Sequence, residues 1–182
     1  GRTEKSFEYR MQNISYVLSL MGRNWLPGLK PAKNIGAKNA AKIEKMLAEA
    51  EGVSFIPVAN FETAVREEFD KPLLHEPIGN VTPKIIQTKI SAYQRDAKVK
   101  AWVLKTANGI CEGCGHSAPF YGTDGIPYLE VHHIRQLADG GSDTITNAVA
   151  LCPNCHREMH YGIDRDRSIS KLYSKVPRLI RE

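Results

Sequence analysis

The four cysteines of this chain fall as two Cys-x-x-Cys pairs, Cys111 with Cys114 and Cys152 with Cys155. Zinc asks for four soft ligands in a tetrahedron, and each such turn brings two sulfurs towards one point. The opening stretch GRTEKSFEYR has no apolar secretory segment. Paired cysteine turns in that setting read as a metal site rather than a disulfide frame. One structural Zn²⁺ is therefore expected on Cys111, Cys114, Cys152 and Cys155. The stretch between the two turns is longer than in a compact finger, so it must fold into something of its own. A metal that closes it stabilises a half-chain too small for a large core.

Composition bounds the rest. The 182 residues are 42% hydrophobic and 25% charged, an ordinary globular balance for one domain or two small ones. That excludes a disordered, collagenous or coiled-coil chain. No run of about 18 apolar residues is present, so no membrane span is expected. The net charge of +5 mildly favours an anionic partner.

Periodicity predicts a mainly helical first half. Phe7, Met11, Ile14, Leu18 and Met21 recur at helical spacing and read as a core face, with a dimer seam as the other reading. A second helix is predicted over 36–51, with Ala40, Ile43, Leu47 and Ala50 on one face. Residues 53–58 (VSFIPV) read as a short edge strand. Asn60 reads as the cap of a helix holding Phe61, Val65 and Phe69. The proline-rich run 71–83 is the best linker and divides a domain 1–83 from a domain 84–182. A helix with Ile85, Ile86, Ile90 and Tyr93 is expected next. Asp96 then caps a helix running to about Lys105, with Val99, Trp102 and Val103 inward. Arg23, Lys30, Lys33 and Lys38 surround Trp25 without an intervening acid. They read either as a solvated surface or as a phosphate-contacting one on which Trp25 stacks or wedges.

Five of the six histidines lie in the same half as the cysteines, and four of them fall as two close pairs. His132 and His133 are adjacent in a strand-like run. His156 and His160 sit at i and i+4 in a segment that Pro153 opens and Gly162 closes as a helix, so they point the same way. If the cysteines satisfy a zinc, these histidines are surplus, and they suggest a second, catalytic ion. The other reading exchanges one histidine into the zinc set.

The run Leu129-Glu-Val-His-His-Ile, then Gly140-Gly141-Ser-Asp, then Thr146-Asn147 through Cys155-His-Arg-Glu-Met-His resembles the HNH nuclease motif. There a β-hairpin and a helix wrap one divalent ion. Residues 95–161 look like the C-terminal half of McrA-type, modification-dependent restriction endonucleases. The resemblance implies a ββα-metal HNH domain stapled by the four-cysteine zinc, and with the mainly helical N-terminal domain read from periodicity it makes the chain α+β. It gives His133 the part of general base, and His132, His156 and His160 the part of ligands to one Mg²⁺, Mn²⁺ or Ni²⁺ type of ion. Asn147 resembles the residue that holds the hairpin loop. Strand alternation points His132 and His133 to opposite faces, so their roles are exchangeable on sequence alone. The implied partner is double-stranded DNA, with modified cytosine as the target. The implied setting is a homodimer in a prokaryotic cytoplasm. The alternatives are a nicking or mobile-element HNH nuclease, a nuclease acting on RNA, and a zinc-stapled DNA-binding module that does not cut.

Overall fold

Thr3 opens the first helix, its hydroxyl accepting a hydrogen bond from the Ser6 N–H. The computed structural model describes residues 3–182 except 33, 54, 56, 73–76, 84 and 86–92. It divides into two compact units, Gly1–Ala92 and Tyr93–Glu182. The described part of the first unit holds α1 (Glu4–Leu20), α2 (Ala37–Glu51) and α3 (Val58–Phe69). Its core is Tyr16, Val17, Ile35, Ala40 and Ala59, with Leu20, Met21, Ile43 and Leu47 packed around it.

The helices stand close to where the periodicity places them, but their inward faces differ. Phe7 is 64% exposed and Ala50 is exposed, while Glu44 is buried at 1%. The Glu44 carboxylate accepts from the N–H groups of Val58, Ala59 and Asn60 at 2.8, 2.9 and 3.1 Å. A helix start leaves such donors orphaned and favours an anion there. So α3 is capped by α2 rather than by Asn60. That contact sets the rotation of α3, turning Ala59 and Thr63 inward. Phe61, Val65 and Phe69, which the sequence places in this helix, face outward at 63, 45 and 86% exposure. The expected strand at 53–58 is absent among the described residues: Val53, Phe55 and Pro57 are irregular and Val58 begins α3. Ser54 and Ile56 lie outside those residues. So do Ile86 and Ile90 of the helix expected after the linker, whose Ile85 and Tyr93 are exposed and irregular.

The second unit begins with α4 (Ala97–Ala107), capped by the Asp96 carboxylate on the Lys98 N–H at 2.7 Å. Asn108 ends it in the left-handed region at φ 46°. The first cysteine turn and a long loop lead to β1 (Glu130–His133), which pairs antiparallel with β2 (Ala148–Leu151). The register sets His132 opposite Val149 and His133 opposite Ala148. Then come α5 (Pro153–Tyr161) and α6 (Arg165–Lys175). All four residues of β2 are fully buried, because α4 and α5 both pack on it. Val103, Leu129, Ile134, Met159, Leu172 and Val176 complete this core. Trp102, expected inward, is 43% exposed and lies against the Arg178 guanidinium, 5.6 Å from the ring centroid. No helix among the described residues is long and apolar enough to cross a membrane.

Candidate active site

The cysteine turns meet as their spacing requires. The sulfurs of Cys111, Cys114, Cys152 and Cys155 all lie within 4.8 Å of one another, a set compatible with a structural zinc. Backbone donors prepare it. Burial opposes ionisation of Cys111, yet the N–H groups of Cys152, Cys114 and Gly113 bring its thiol down to about 7. Burial pushes the Cys155 thiol up, and the neighbouring sulfurs push it further. Such crowded thiols part with their protons most readily to a cation. His116 is exposed outside this set, so no histidine is exchanged into it.

The second cluster is also built on α5. Cys152 precedes the helix and Pro153 is its first residue. The helix therefore starts at the cysteine site and carries His156 and His160 away on one face. Ring nitrogens of His132, His156 and His160 lie within 4.8 Å of one another. Their ring centroids form a near-equilateral triangle of 4.9 to 5.1 Å. Nε2 of His156 stands 3.2 Å from Nε2 of His160. Two imidazoles bound ~2.0–2.1 Å from one ion at a tetrahedral angle would be about 3.3 Å apart. Burial, and then the neighbouring imidazoles, push His132 down to about 2, so its ring is neutral and its lone pair is available. Nδ1 of His156 is 2.6 Å from the Glu130 carboxylate, which the His156 hydrogen bond holds below the usual range. A carboxylate on Nδ1–H leaves Nε2 as the donor atom for a metal. The Gln136 side-chain amide holds Nδ1 of His160 at 3.2 Å. The donor set thus fits a divalent ion.

His133 takes no part in that triangle. Alternation along β1 is kept: Glu130 and His132 meet α5, while Nε2 of His133 lies 2.7 Å from Oδ1 of Asp143. Oδ2 of Asp143 in turn accepts the Asp96 N–H at 2.6 Å, just ahead of α4. Residues of both faces share one cleft. A cleft of about 240 Å³ is lined by His133 and Asp143 together with Glu130 and His156, with Arg95 and Lys100 beside them.

Asn147 holds the loop between the strands. It is 1% exposed, accepts from the Arg135 N–H at 2.9 Å, and donates to the carbonyls of Arg135 and Ser142 at 2.9 and 2.8 Å. Gly141 makes room for this: a Cβ there would stand 2.1 Å from the Arg135 carbonyl oxygen.

The basic residues of the first unit are less uniform than their spacing implies. Arg23 forms two bonds to the Glu51 carboxylate, at 3.0 and 2.9 Å. Trp25 is half-buried, Lys30 and Lys38 are exposed, and Lys33 lies outside the described residues. Glu130, Gln136 and Asp143 are site residues that the motif reading passes over. The available signal was for Glu130, which sits two positions before His132 and so on the same strand face.

Residues 111–162 match the family model for HNH endonuclease. Over 109 residues the chain is 50% identical to the type IV methyl-directed restriction enzyme EcoKMcrA of Escherichia coli (strain K12), covering 60% of this chain and 39% of that protein. The chain thus spans well under half the length of that relative. A stretch of 31 residues is 45% identical to anaredoxin of a Nostoc species, covering 17% of this chain and 41% of that one. Among solved structures, the type IV phosphorothioation-dependent restriction endonuclease ScoMcrA matches at 37% identity with a TM-score of 0.42, over 46% of this chain and 19% of that one. The second unit therefore contains an HNH endonuclease domain, in a chain that resembles a McrA restriction enzyme over more than half of its residues.

Proposed function

We propose that this chain is a metal-dependent endonuclease that hydrolyses DNA phosphodiesters, in restriction of DNA carrying modified cytosine. The observation that carries the reading is the convergence of His132, His156 and His160 beside a cleft in which Asp143 holds a fourth histidine. The three converging histidines would hold one divalent ion of the Mg²⁺, Mn²⁺ or Ni²⁺ type. Bound there, the ion supplies Lewis-acid stabilisation of charge on the phosphate and on the leaving 3′-oxygen.

The chain's own residues do the rest. Asp143 takes the Nε2–H of His133, which leaves Nδ1 to accept a proton from water. The water oxygen bonds to phosphorus as the bond to the 3′-oxygen breaks in line, and the departing 3′-oxygen takes a proton from solvent. The ends are 5′-phosphate and 3′-hydroxyl. Arg95 and Lys100 beside the cleft draw in the phosphate backbone. Asn147 keeps Arg135 and Ser142 together, and so holds the loop that carries Asp143. Zinc on the four cysteines serves structure alone.

The modified target rests on the 50% identity to an enzyme named as methyl-directed. Its reading is assigned to residues 1–83, where Arg23, Trp25, Lys30, Lys33 and Lys38 supply phosphate contacts and stacking; residues 71–83 link them to the HNH domain in 84–182. One such site cuts one strand, so cutting both strands takes two sites or sequential nicks, and a homodimer supplies the two sites. A bacterial cytoplasm is the setting where such DNA is met.

The test is a gel assay on one plasmid in unmodified, 5-methylcytosine and 5-hydroxymethylcytosine forms, with Mg²⁺, Mn²⁺ or EDTA. Metal-dependent cutting of modified DNA alone, lost in His133→Ala, is the expected result. Equal cutting of all forms would remove the modified target. Intact binding with no cutting in any metal would replace the nuclease with a zinc-stapled binding module.

A further inference from the structure

The loop between the first cysteine turn and β1 is ordered by its own backbone. The Ala118 N–H donates to the Gly109 carbonyl at 2.7 Å, and the Gly122 N–H to the Ile126 carbonyl at 2.9 Å. Tyr121 and Pro127 form an antiparallel bridge. Asp124 closes the tip by accepting the Ile126 N–H at 3.0 Å. Leu129 enters the core, yet three large apolar side chains of the loop stay out of it: Phe120, Tyr121 and Ile126 are 50, 71 and 55% exposed. A contiguous exposed apolar cluster on a built loop marks a binding surface. Phe120 and Tyr128 stack within it, with ring centroids 4.5 Å apart and planes at 19°.

Between this loop and α4 runs an open groove of about 880 Å³. Ala97 and Ala101 of α4 line it, and Lys100 and Lys105 stand along it. Neither lysine forms an ion pair among the described residues. Asp124 is the one acid in the lining, and the Ile126 amide engages it. Lys100, Tyr128 and Leu129 line both this groove and the cleft of His133, so the groove continues the cleft.

We propose that the groove holds the DNA strand next to the scissile phosphate, with an unstacked base on the Phe120–Tyr128 pair and phosphates on Lys100 and Lys105. This rests on the reading of the cleft as a DNA-cutting site. Aromatic faces take any base, but only one released from its stack, and lysines take the backbone whatever its sequence. The groove therefore favours DNA opened next to the cut. Its unpaired lysines select a polyanion over a second copy of this basic chain.

The experiment measures binding of a fluorescein-labelled duplex by anisotropy, either fully paired or with a small central mismatch bubble. The protein is the full chain carrying His133→Ala, so that nothing is cut. The bubble duplex is expected to bind about tenfold tighter than the paired one. Adding Phe120→Ala should abolish that preference, and adding Lys105→Gln should lower the salt slope of binding by about one. Zinc content and melting temperature show that both variants are folded. Equal binding of the two duplexes, or a bubble preference that survives Phe120→Ala, would overturn the proposal. So would Phe120→Ala leaving DNA binding unchanged while dissociating a dimer in sedimentation. In these cases plasmid cutting by the wild-type chain shows the nuclease reading intact. A wild-type chain that neither binds nor cuts DNA would remove both.

Discussion

At the scale of single residues, the most informative contact is that of Asp143 with His133. The imidazole is 5% exposed, and its Nε2 is 2.7 Å from a carboxylate that the Asp96 N–H steadies. Burial opposes ionisation of Asp143, but the Asp96 amide and the His133 ring hold its carboxyl below the usual range, so it stays an acceptor. An asparagine in its place offers either an oxygen or an N–H, and the tautomer of His133 is then no longer set. Asp143→Asn is expected to lower kcat about 10²–10⁴-fold, with KM and zinc content near wild type. Combined with His133→Ala it should cost little more, because the two act as one unit. A wild-type single-turnover rate in Asp143→Asn would remove Asp143 from the mechanism. Glu130 and Asp143 stand inside the motif runs without a role of their own there, and nothing local in the sequence singles out Glu44 among 20 acidic residues. Each gains its role from a partner that only the fold supplies. The histidines and cysteines were legible because metal chemistry restricts both their type and their spacing.

At the scale of elements, local chemistry marks helix ends better than helix faces. Asp96 before α4, and Pro153 and Gly162 around α5, act where the sequence places them. The face of α3 was not legible, because a buried carboxylate on α2 decides it. Helix α6 was not anticipated at all, although Ile169, Leu172 and Val176 bring it to the core. The same dependence between elements predicts how metal loss acts. Cys152 sits at the start of α5 and Cys155 in its first turn, while His156 and His160 follow on the same helix. An ion on the cysteines anchors that helix start to the 111–116 turn. Brief EDTA treatment should strip only the histidine site, and Mg²⁺ alone should restore cutting. Exhaustive chelation should release one zinc per chain, lower the melting temperature and abolish cutting, with recovery requiring both Zn²⁺ and Mg²⁺. Full recovery with Mg²⁺ alone, on protein shown to be zinc-free, would break the link. Gly141→Ala tests the loop of the same hairpin. Its Cβ would meet backbone at 2.1 Å, so the Asn147 bonds must give way. Leaving buried polar groups unpaired costs about 1–3 kcal/mol each, and the melting temperature should fall accordingly.

At the scale of the whole molecule, each unit has its own core. The cluster around Val17 and Ala40 lies wholly in the first unit, and the one around Val149 and Leu151 wholly in the second. The cysteine and histidine clusters, the His133 cleft and the groove along α4 also belong to the second unit. A unit of about 90 residues has a marginal core by surface-to-volume scaling, and a bound zinc adds folding free energy to it directly. Residues 93–182, produced alone with Zn²⁺, are therefore expected to fold and to nick plasmid DNA in Mg²⁺ or Mn²⁺. On the proposed assignment of target reading to the first unit, the fragment loses the preference for modified DNA. It should cut unmodified and 5-methylcytosine plasmids at equal rates, lower than the full chain's rate on modified DNA. The products distinguish the roles of the two units. Accumulation of open circles before linear DNA shows one site cutting one strand, and a preference for modified DNA retained by the fragment would move target reading out of the first unit and into the HNH unit itself.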